Sequence, residues 1–201
     1  MLPRRVRRAA AAVGRADRGS LRIVGGRWRG RRLPVPDQPG LRPTTDRIRE
    51  TLFNWVAPWV EGSRCLDCFA GSGALGFEAA SRGAREVMML EHSAAAVRVL
   101  ADSVATLDAE QVVSVRRTEA LEWLATAPVE PFDLCFLDPP FGSGLLAPAV
   151  TELVSRGWLA TNALVYLECN KSSSLPQLPE PCEWLREKQS GQVRYGLARA
   201  S

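Results

Sequence analysis

The chain has 201 residues, 46% hydrophobic and 24% charged, with a formal net charge of +4. That suits one globular domain, or one domain with a small appendage, and excludes a membrane helix, since no apolar run reaches roughly 18–20 residues. Five scattered cysteines do not make a disulfide framework, and a single histidine, His92, speaks against a Ser-His-Asp triad or a multi-histidine metal site.

Charge is distributed unevenly. Residues 1–49 hold 14 Arg against 3 Asp, whereas the rest holds 12 basic and 19 acidic residues. A basic head on an acidic body points to a polyanion partner, most simply nucleic acid. No signal-peptide segment opens the chain, and a cytoplasmic location is expected.

Residues 1–18 are rich in Arg and Ala and read as a disordered basic arm. Leu21–Val24 reads as a short strand, Gly25-Gly26 as a turn, and Arg27–Leu33 as the hairpin partner. Trp28 stands among Arg27, Arg29 and Arg31. An aromatic ring in a basic patch can stack on bases while arginines clamp phosphates. The alternative is a solvated basic hairpin with Trp28 tucked onto the domain. Prolines 34, 36 and 39 mark a linker. Thr44 or Thr45 then caps a helix whose body is Arg47–Trp55. Ile48, Leu52, Trp55 and Val56 share its apolar face, while Arg42, Thr44, Asp46, Arg47 and Asn54 are either surface or the border of a site.

From Arg64 onward strands and helices alternate. Strands are expected at Cys65–Phe69, Glu86–Glu91, Val112–Val115, Phe132–Leu137 and Ala163–Glu168. Helices are expected at Ala74–Ser81, Ser93–Ala105, Glu119–Ala125 and Leu145–Arg156. This is the pattern of a doubly wound, Rossmann-like α/β sheet. Cys182–Lys188 and Val193–Ala198 flank Gln189-Ser190-Gly191 and read as an antiparallel hairpin closing one edge. The whole sheet has about seven strands, mostly parallel, with the basic β-hairpin appended in front.

Two motifs carry chemistry. Gly71-Ser72-Gly73-Ala74-Leu75-Gly76 fits G-x-G-x-x-G between a strand and a helix. There the backbone can approach a ligand and the helix N-terminus offers free N–H groups. Glu91, 20 residues after Gly71, suits the hydroxyls of a ribose. Asp67 before the glycines suits an ammonium group better than a pyrophosphate, and Glu119 opens a helix where it can meet an adenine edge. The second motif is Asp138-Pro139-Pro140-Phe141, at the end of an apolar strand. Two prolines cannot continue a ladder. They fix a stiff loop holding a carboxylate and a ring where open α/β sheets bind ligands. Cys65-x-x-Cys68 has no second ligand pair, and no metal is expected.

Asp67-x-x-x-Gly71-x-Gly73, Glu91 and Asp138–Phe141, in this order, resemble the S-adenosylmethionine-dependent amino-methyltransferases. Ile23–Arg31 and Arg42–Asn54 further resemble the bacterial RsmD family, which methylates the exocyclic N2 of a guanine in 16S rRNA, at position 966. The resemblance runs from about residue 21 to the end. It implies S-adenosylmethionine held by Asp67, Phe69, Gly71, Gly73, Glu91, His92, Glu119, Ala120 and Asp138. It implies that Asp138 and the carbonyl of Pro139 grip the amine while Phe141 stacks on an extruded base. RNA contacts are implied for Arg27, Trp28, Arg29, Arg31, Arg42, Thr44, Asp46, Arg47 and Asn54. Residues 1–18 are then an arm, 19–58 an RNA-binding hairpin and helix, and 59–201 the methyltransferase domain. The expected partner is 16S rRNA, free or within the 30S subunit, met by a monomer away from any membrane. Glu119 stands where many relatives have aspartate. Physics alone leaves open an adenine-N6 methyltransferase, a nicotinamide oxidoreductase and a non-catalytic RNA-binding protein.

Overall fold

The computed structural model describes residues 19–36 and 45–201. The arm at residues 1–18, Arg42 and Thr44 lie outside the described residues. Two short strands, β1 (Ser20–Arg22) and β2 (Arg32–Pro34), pair antiparallel. Helices α1 (Asp46–Trp55) and α2 (Ala57–Val60) follow. Strand and helix then alternate: β3 (Arg64–Asp67), α3 (Ala74–Ser81), β4 (Glu86–Glu91), α4 (Ala94–Thr106), β5 (Val113–Arg117), α5 (Ala120–Thr126), β6 (Phe132–Leu137) and α6 (Leu146–Ser155). The chain ends with β7 (Leu159–Asn170), β8 (Cys182–Ser190) and β9 (Val193–Ala200).

The large sheet has seven strands in the order β5-β4-β3-β6-β7-β9-β8. β3 to β7 are parallel, and β9 and β8 are antiparallel additions. From β3 the chain winds outward through β4 and β5. It then returns to the other side of β3 as β6 and continues to β7. The winding therefore reverses between β3 and β6, and a crevice opens at such a switch point beyond the carboxyl ends of the strands.

The central strands are apolar almost throughout because helices cover both faces. Leu66, Leu134, Phe136, Leu164 and Leu167 are fully buried. α1 starts where Thr45 accepts a hydrogen bond from the Ile48 N–H, and α4 starts where Ser93 accepts from Ala96. Phe53 of α1 packs on Phe136 of β6 at 5.9 Å between ring centroids. Trp55 meets Tyr195 of β9 at 5.5 Å, so α1 lies over the β6–β9 half of the sheet.

The front hairpin differs from the sequence expectation. The ladder covers three residues on each strand, and Ile23–Arg31 is a loop with turns at Gly25–Gly30. Besides its own bonds, such as Ile23 N–H to the Arg31 carbonyl at 2.9 Å and Gly30 N–H to the Ile23 carbonyl at 2.8 Å, its backbone is held by α3. Arg27 N–H donates to the Ser81 carbonyl at 2.7 Å, Trp28 N–H to Ser81 Oγ at 3.0 Å, and Val24 N–H to Glu78 Oε2 at 2.9 Å. Gly26 permits this approach: at φ +72°, a Cβ there would lie 1.9 Å from the Ser81 carbonyl oxygen. Trp28 is only 8% exposed and belongs to the core, with the Arg27 guanidinium 4.0 Å over its ring. The base-stacking role expected for Trp28 is therefore corrected. Burying the indole removes more apolar area from water than a surface position allows.

A buried ion cluster fastens hairpin, α1 and α3 together. Glu78 is fully buried and accepts from Arg49 Nη1 at 3.4 Å, Arg82 Nε at 2.8 Å and the Val24 N–H. Asp46 pairs with Arg22 and with Arg49.

Candidate active site

A cavity of about 1070 Å³ lies at the switch point. Pockets for one drug-sized ligand run roughly 300–1,000 Å³, so this space admits a cofactor and part of a second molecule. Its walls divide accordingly. One half is built by the ends of β3, β4 and β5 with the glycine loop. The other is built by the ends of β6 and β7, the start of α1 and the β8–β9 turn.

The glycine loop is held by two carboxylates from below. Asp67 Oδ2 accepts from the Gly76 N–H at 3.0 Å. That requires α3 to sit tightly on the sheet: a Cβ on Gly76 would lie 2.4 Å from Met89 Cε and 3.3 Å from Asp67 Oδ2. Glu91 Oε2 accepts from Gly71 N–H at 3.0 Å, and its Oε1 accepts from Ser93 N–H at 2.7 Å. His92, mostly exposed, places Nδ1 3.3 Å from the same Oε1.

β3, β4 and β6 end in leucine followed by an acid, Leu66-Asp67, Leu90-Glu91 and Leu137-Asp138, and β7 carries the same pair, Leu167-Glu168, two residues before its end. The leucines are buried, and all four acids line the cavity. Burial, then Asp138 and Glu91, push Asp67 up to about 7 against the opposing Gly76 N–H. Burial and the neighbouring Asp138 push Glu168 up to about 8, opposed by the Tyr166 hydroxyl, which donates at 2.7 Å. Burial and the neighbouring Glu168 in turn drive the Tyr166 hydroxyl well above the usual phenol range. Buried carboxylates that resist ionisation gain from a cationic ligand. The two carboxyls concerned stand on β3 and β7, on either side of β6.

The proline loop sits opposite the glycine loop. Pro139 is buried and Pro140 exposed, and Phe141, 41% exposed, stands at the cavity mouth. Asp138 is half-buried behind it.

The cavity gathers most of the cofactor residues expected from sequence: Asp67, Phe69, Gly71, Glu91, His92, Glu119, Ala120 and Asp138 line it. Glu119 is the exposed N-cap of α5 but makes no side-chain cap bond. Gly73 does not line the cavity. It is the left-handed residue that starts α3, with φ +77°, and acts through the loop's shape.

The expected RNA residues separate into two places. None of those that are described lines the cavity: on α1 the lining residues are Thr45 and Ile48, which the expectation did not include, whereas Asp46 is taken up by its two arginine pairs and exposed Asn54 lies at the far end of the helix. Arg47 is exposed on α1, and its charge reaches Tyr195. Arg27 and Arg31 bond to the C-terminal ends of α3 and α4, at Ser81 and Thr106. The cavity is at the N-terminal ends of those helices, which are about 12 and 20 Å long at 1.5 Å per residue. Exposed Arg27, Arg29 and Arg31 therefore do not border the cavity, but form a separate basic turn.

Glu168 and the β8–β9 turn, Ser190–Val193, were not singled out from sequence, yet both line the cavity. Glu168 had a readable signal, the repeated leucine-acid pair. The turn had none, because its position depends on β9 inserting between β7 and β8.

The family model described as conserved hypothetical protein 95 matches residues 21–199. The ribosomal RNA small subunit methyltransferase D of Escherichia coli K12 is 50% identical over 179 residues, covering 89% of each chain. The chain belongs to the RsmD family. The same-named protein of Haemophilus influenzae is 44% identical over 182 residues, covering 90% of this chain and 94% of its own. The solved Escherichia coli protein yhhF superposes with a TM-score of 0.84 at 46% identity, covering 90% of this chain and 98% of that one. The fold also matches the T. thermophilus methyltransferase RsmC, solved with AdoMet and guanosine, at a TM-score of 0.63. Identity there is 22%, over 91% of this chain and 50% of that one.

Proposed function

We propose that this protein transfers a methyl group from S-adenosylmethionine to the exocyclic N2 of a guanine in 16S rRNA, guanine 966 by family resemblance. A methyltransferase acting on small-subunit ribosomal RNA is what the RsmD relatives support. The observation that carries the reading is Asp138-Pro139-Pro140-Phe141 facing the glycine loop across one cavity.

S-adenosylmethionine supplies an already activated methyl on a cationic sulfonium. The residues present fit it: Asp67 and Glu91 offer carboxylates to its charged and hydroxyl groups, and the Glu119 side chain is not used by its own helix. The protein's own task is positioning. An exocyclic guanine amine is a poor nucleophile because its lone pair is conjugated with the ring. The Asp138 carboxylate and the Pro139 carbonyl accept its two N–H bonds, which favours the more nucleophilic geometry and stabilises positive charge developing on nitrogen. Phe141 stacks on the base once it has left its neighbours. The N–CH₃ bond forms as the S–CH₃ bond breaks, and the proton leaves afterwards by way of Asp138 to water. The products are S-adenosylhomocysteine and N2-methylguanine.

The basic turn at Arg27, Arg29 and Arg31 adds a sequence-independent grip on phosphates at a distance from the reacting base. Among the described residues no helix is long and apolar enough to cross a membrane. The reading places a monomer in the cytoplasm with the ribosomal subunits.

The experiment offers labelled S-adenosylmethionine with 30S particles from a deletion strain, deproteinised 16S rRNA and naked DNA. The expected result is label on one guanine of the small-subunit RNA, located by mass mapping. Label on adenine, or in DNA alone, overturns the reading. The two RNA arms decide whether the free or the assembled RNA is the substrate.

A further inference from the structure

Of the four acids that follow a strand leucine, three have work in the reaction above, and Glu168 has none. It is 3% exposed, lines the cavity and receives the Tyr166 hydroxyl at 2.7 Å. Leu137 and Leu167 are register partners on parallel strands, so Asp138 and Glu168 follow at matched positions. Neighbouring strands lie about 4.8 Å apart, which sets the two carboxylates side by side in the half of the cavity away from the glycine loop. A carboxylate has about four acceptor sites, and the Tyr166 hydroxyl takes one. A buried acid of this kind is costly unless further donors reach it. A molecule that enters the pocket can supply them.

We propose that Glu168, ionised once the cationic methyl donor and the base stand beside it, reads the Watson–Crick edge of the target base, accepting the ring N1–H of guanine beside the amine held by Asp138. This rests on the guanine-N2 reading and deepens it. Guanine shows adjacent donors, N1–H and the N2 amine, to a pair of acceptors. Adenine shows an amine beside a bare N1, whose lone pair opposes that of a carboxylate. Phe141 and the amine-gripping loop suit either base, so discrimination falls to the second acid. A site built to hydrogen-bond a group rejects the analogue lacking it far more strongly than an apolar pocket can. Tyr166 is the positioning residue, since its hydroxyl aims the carboxylate.

The test uses 2-aminopurine, which keeps the N2 amine but has a bare N1. Small-subunit particles are reconstituted with rRNA ligated to carry guanine or 2-aminopurine at the methylated position. The wild-type enzyme is expected to prefer guanine by about 100-fold or more in kcat/KM. Glu168→Gln offers a donor as well as an acceptor and is expected to cut the preference to within about 5-fold. Tyr166→Phe should fall between. Particle affinity, measured with S-adenosylhomocysteine bound, should show the same ordering without turnover. S-adenosylhomocysteine affinity within about 3-fold of wild type shows that a variant is folded and its cofactor half intact. An unchanged base preference in such a Glu168→Gln protein overturns the role of Glu168 and leaves the guanine reading standing. If Glu168→Gln does not fold, an unchanged preference in Tyr166→Phe overturns it instead. A wild-type enzyme that methylates no guanine in these particles fails the guanine reading, and this inference with it.

Discussion

The Glu91 carboxylate holds the Gly71 N–H at 3.0 Å, tying the end of one strand to the first glycine of a loop 20 residues earlier. Its other oxygen holds Ser93 N–H, the residue that caps α4. One side chain thus fixes the loop and the start of a helix, and presents its remaining lone pairs to the cavity.

Removing it should loosen the cofactor half as a unit. Glu91→Ala is expected to weaken S-adenosylmethionine binding by about 100-fold, and Glu91→Gln, which keeps one acceptor, by about 10-fold. Titration calorimetry measures both. Affinities unchanged in Glu91→Ala would show that Glu91 is only a loop anchor.

Asp138 should separate binding from chemistry. Asp138→Ala is expected to lower kcat by about 10³-fold while changing cofactor affinity by less than about 5-fold, because its acceptors serve the developing charge on the amine. Single-turnover transfer and calorimetry on the same preparation give the two numbers. A loss confined to KM would place Asp138 in substrate binding alone.

The pH dependence of stability follows from Asp67 and Glu168. Burial, with Asp138 beside both and Glu91 beside Asp67, holds their folded values at about 7 and about 8, above those of the unfolded chain. The folded state therefore binds more protons in the window between, and the contribution is present at low pH and lost as pH rises. The Tm of the ligand-free protein should fall from about pH 5 to about pH 8. Asp67→Asn, which keeps an acceptor for Gly76, and Glu168→Gln should each flatten the slope. A slope that is the same in the double variant assigns the effect elsewhere.

Glu78 should matter to stability without touching the cofactor. Glu78→Ala removes the carboxylate shared by Arg49, Arg82 and the Val24 N–H. Breaking a buried ion cluster by deleting one partner costs about 3–5 kcal/mol. Urea unfolding should show that loss in the midpoint.

The basic turn and its tryptophan should behave oppositely. Arg29→Ala is expected to weaken RNA binding and to shrink the salt slope, log K against log salt, by about 0.7–0.9 for each phosphate no longer neutralised. Trp28→Ala should instead destabilise the fold by about 3–5 kcal/mol, as for a buried aromatic. Filter binding across a salt series and thermal unfolding distinguish the two effects.

The sequence by itself determined the α/β alternation, because an apolar strand followed by a capped amphipathic helix has few other solutions. The bounds of α3, β4 and β6 were readable to the residue, and the seven-strand sheet with its antiparallel end was expected. Both loops that line the cavity were readable as well. Paired glycines and paired prolines are backbone constraints, and these show in the letters. The tertiary structure alone decided which loops share a cavity, through a strand order in which β6 crosses back beside β3. It decided that Trp28 is buried while Phe141 is exposed, because burial depends on what lies opposite a ring. It also placed Glu168 beside Asp138, 30 residues apart in the chain, since parallel register is a property of two strands together. The letters named the chemical groups, and the strand register set them at the distances where they can act.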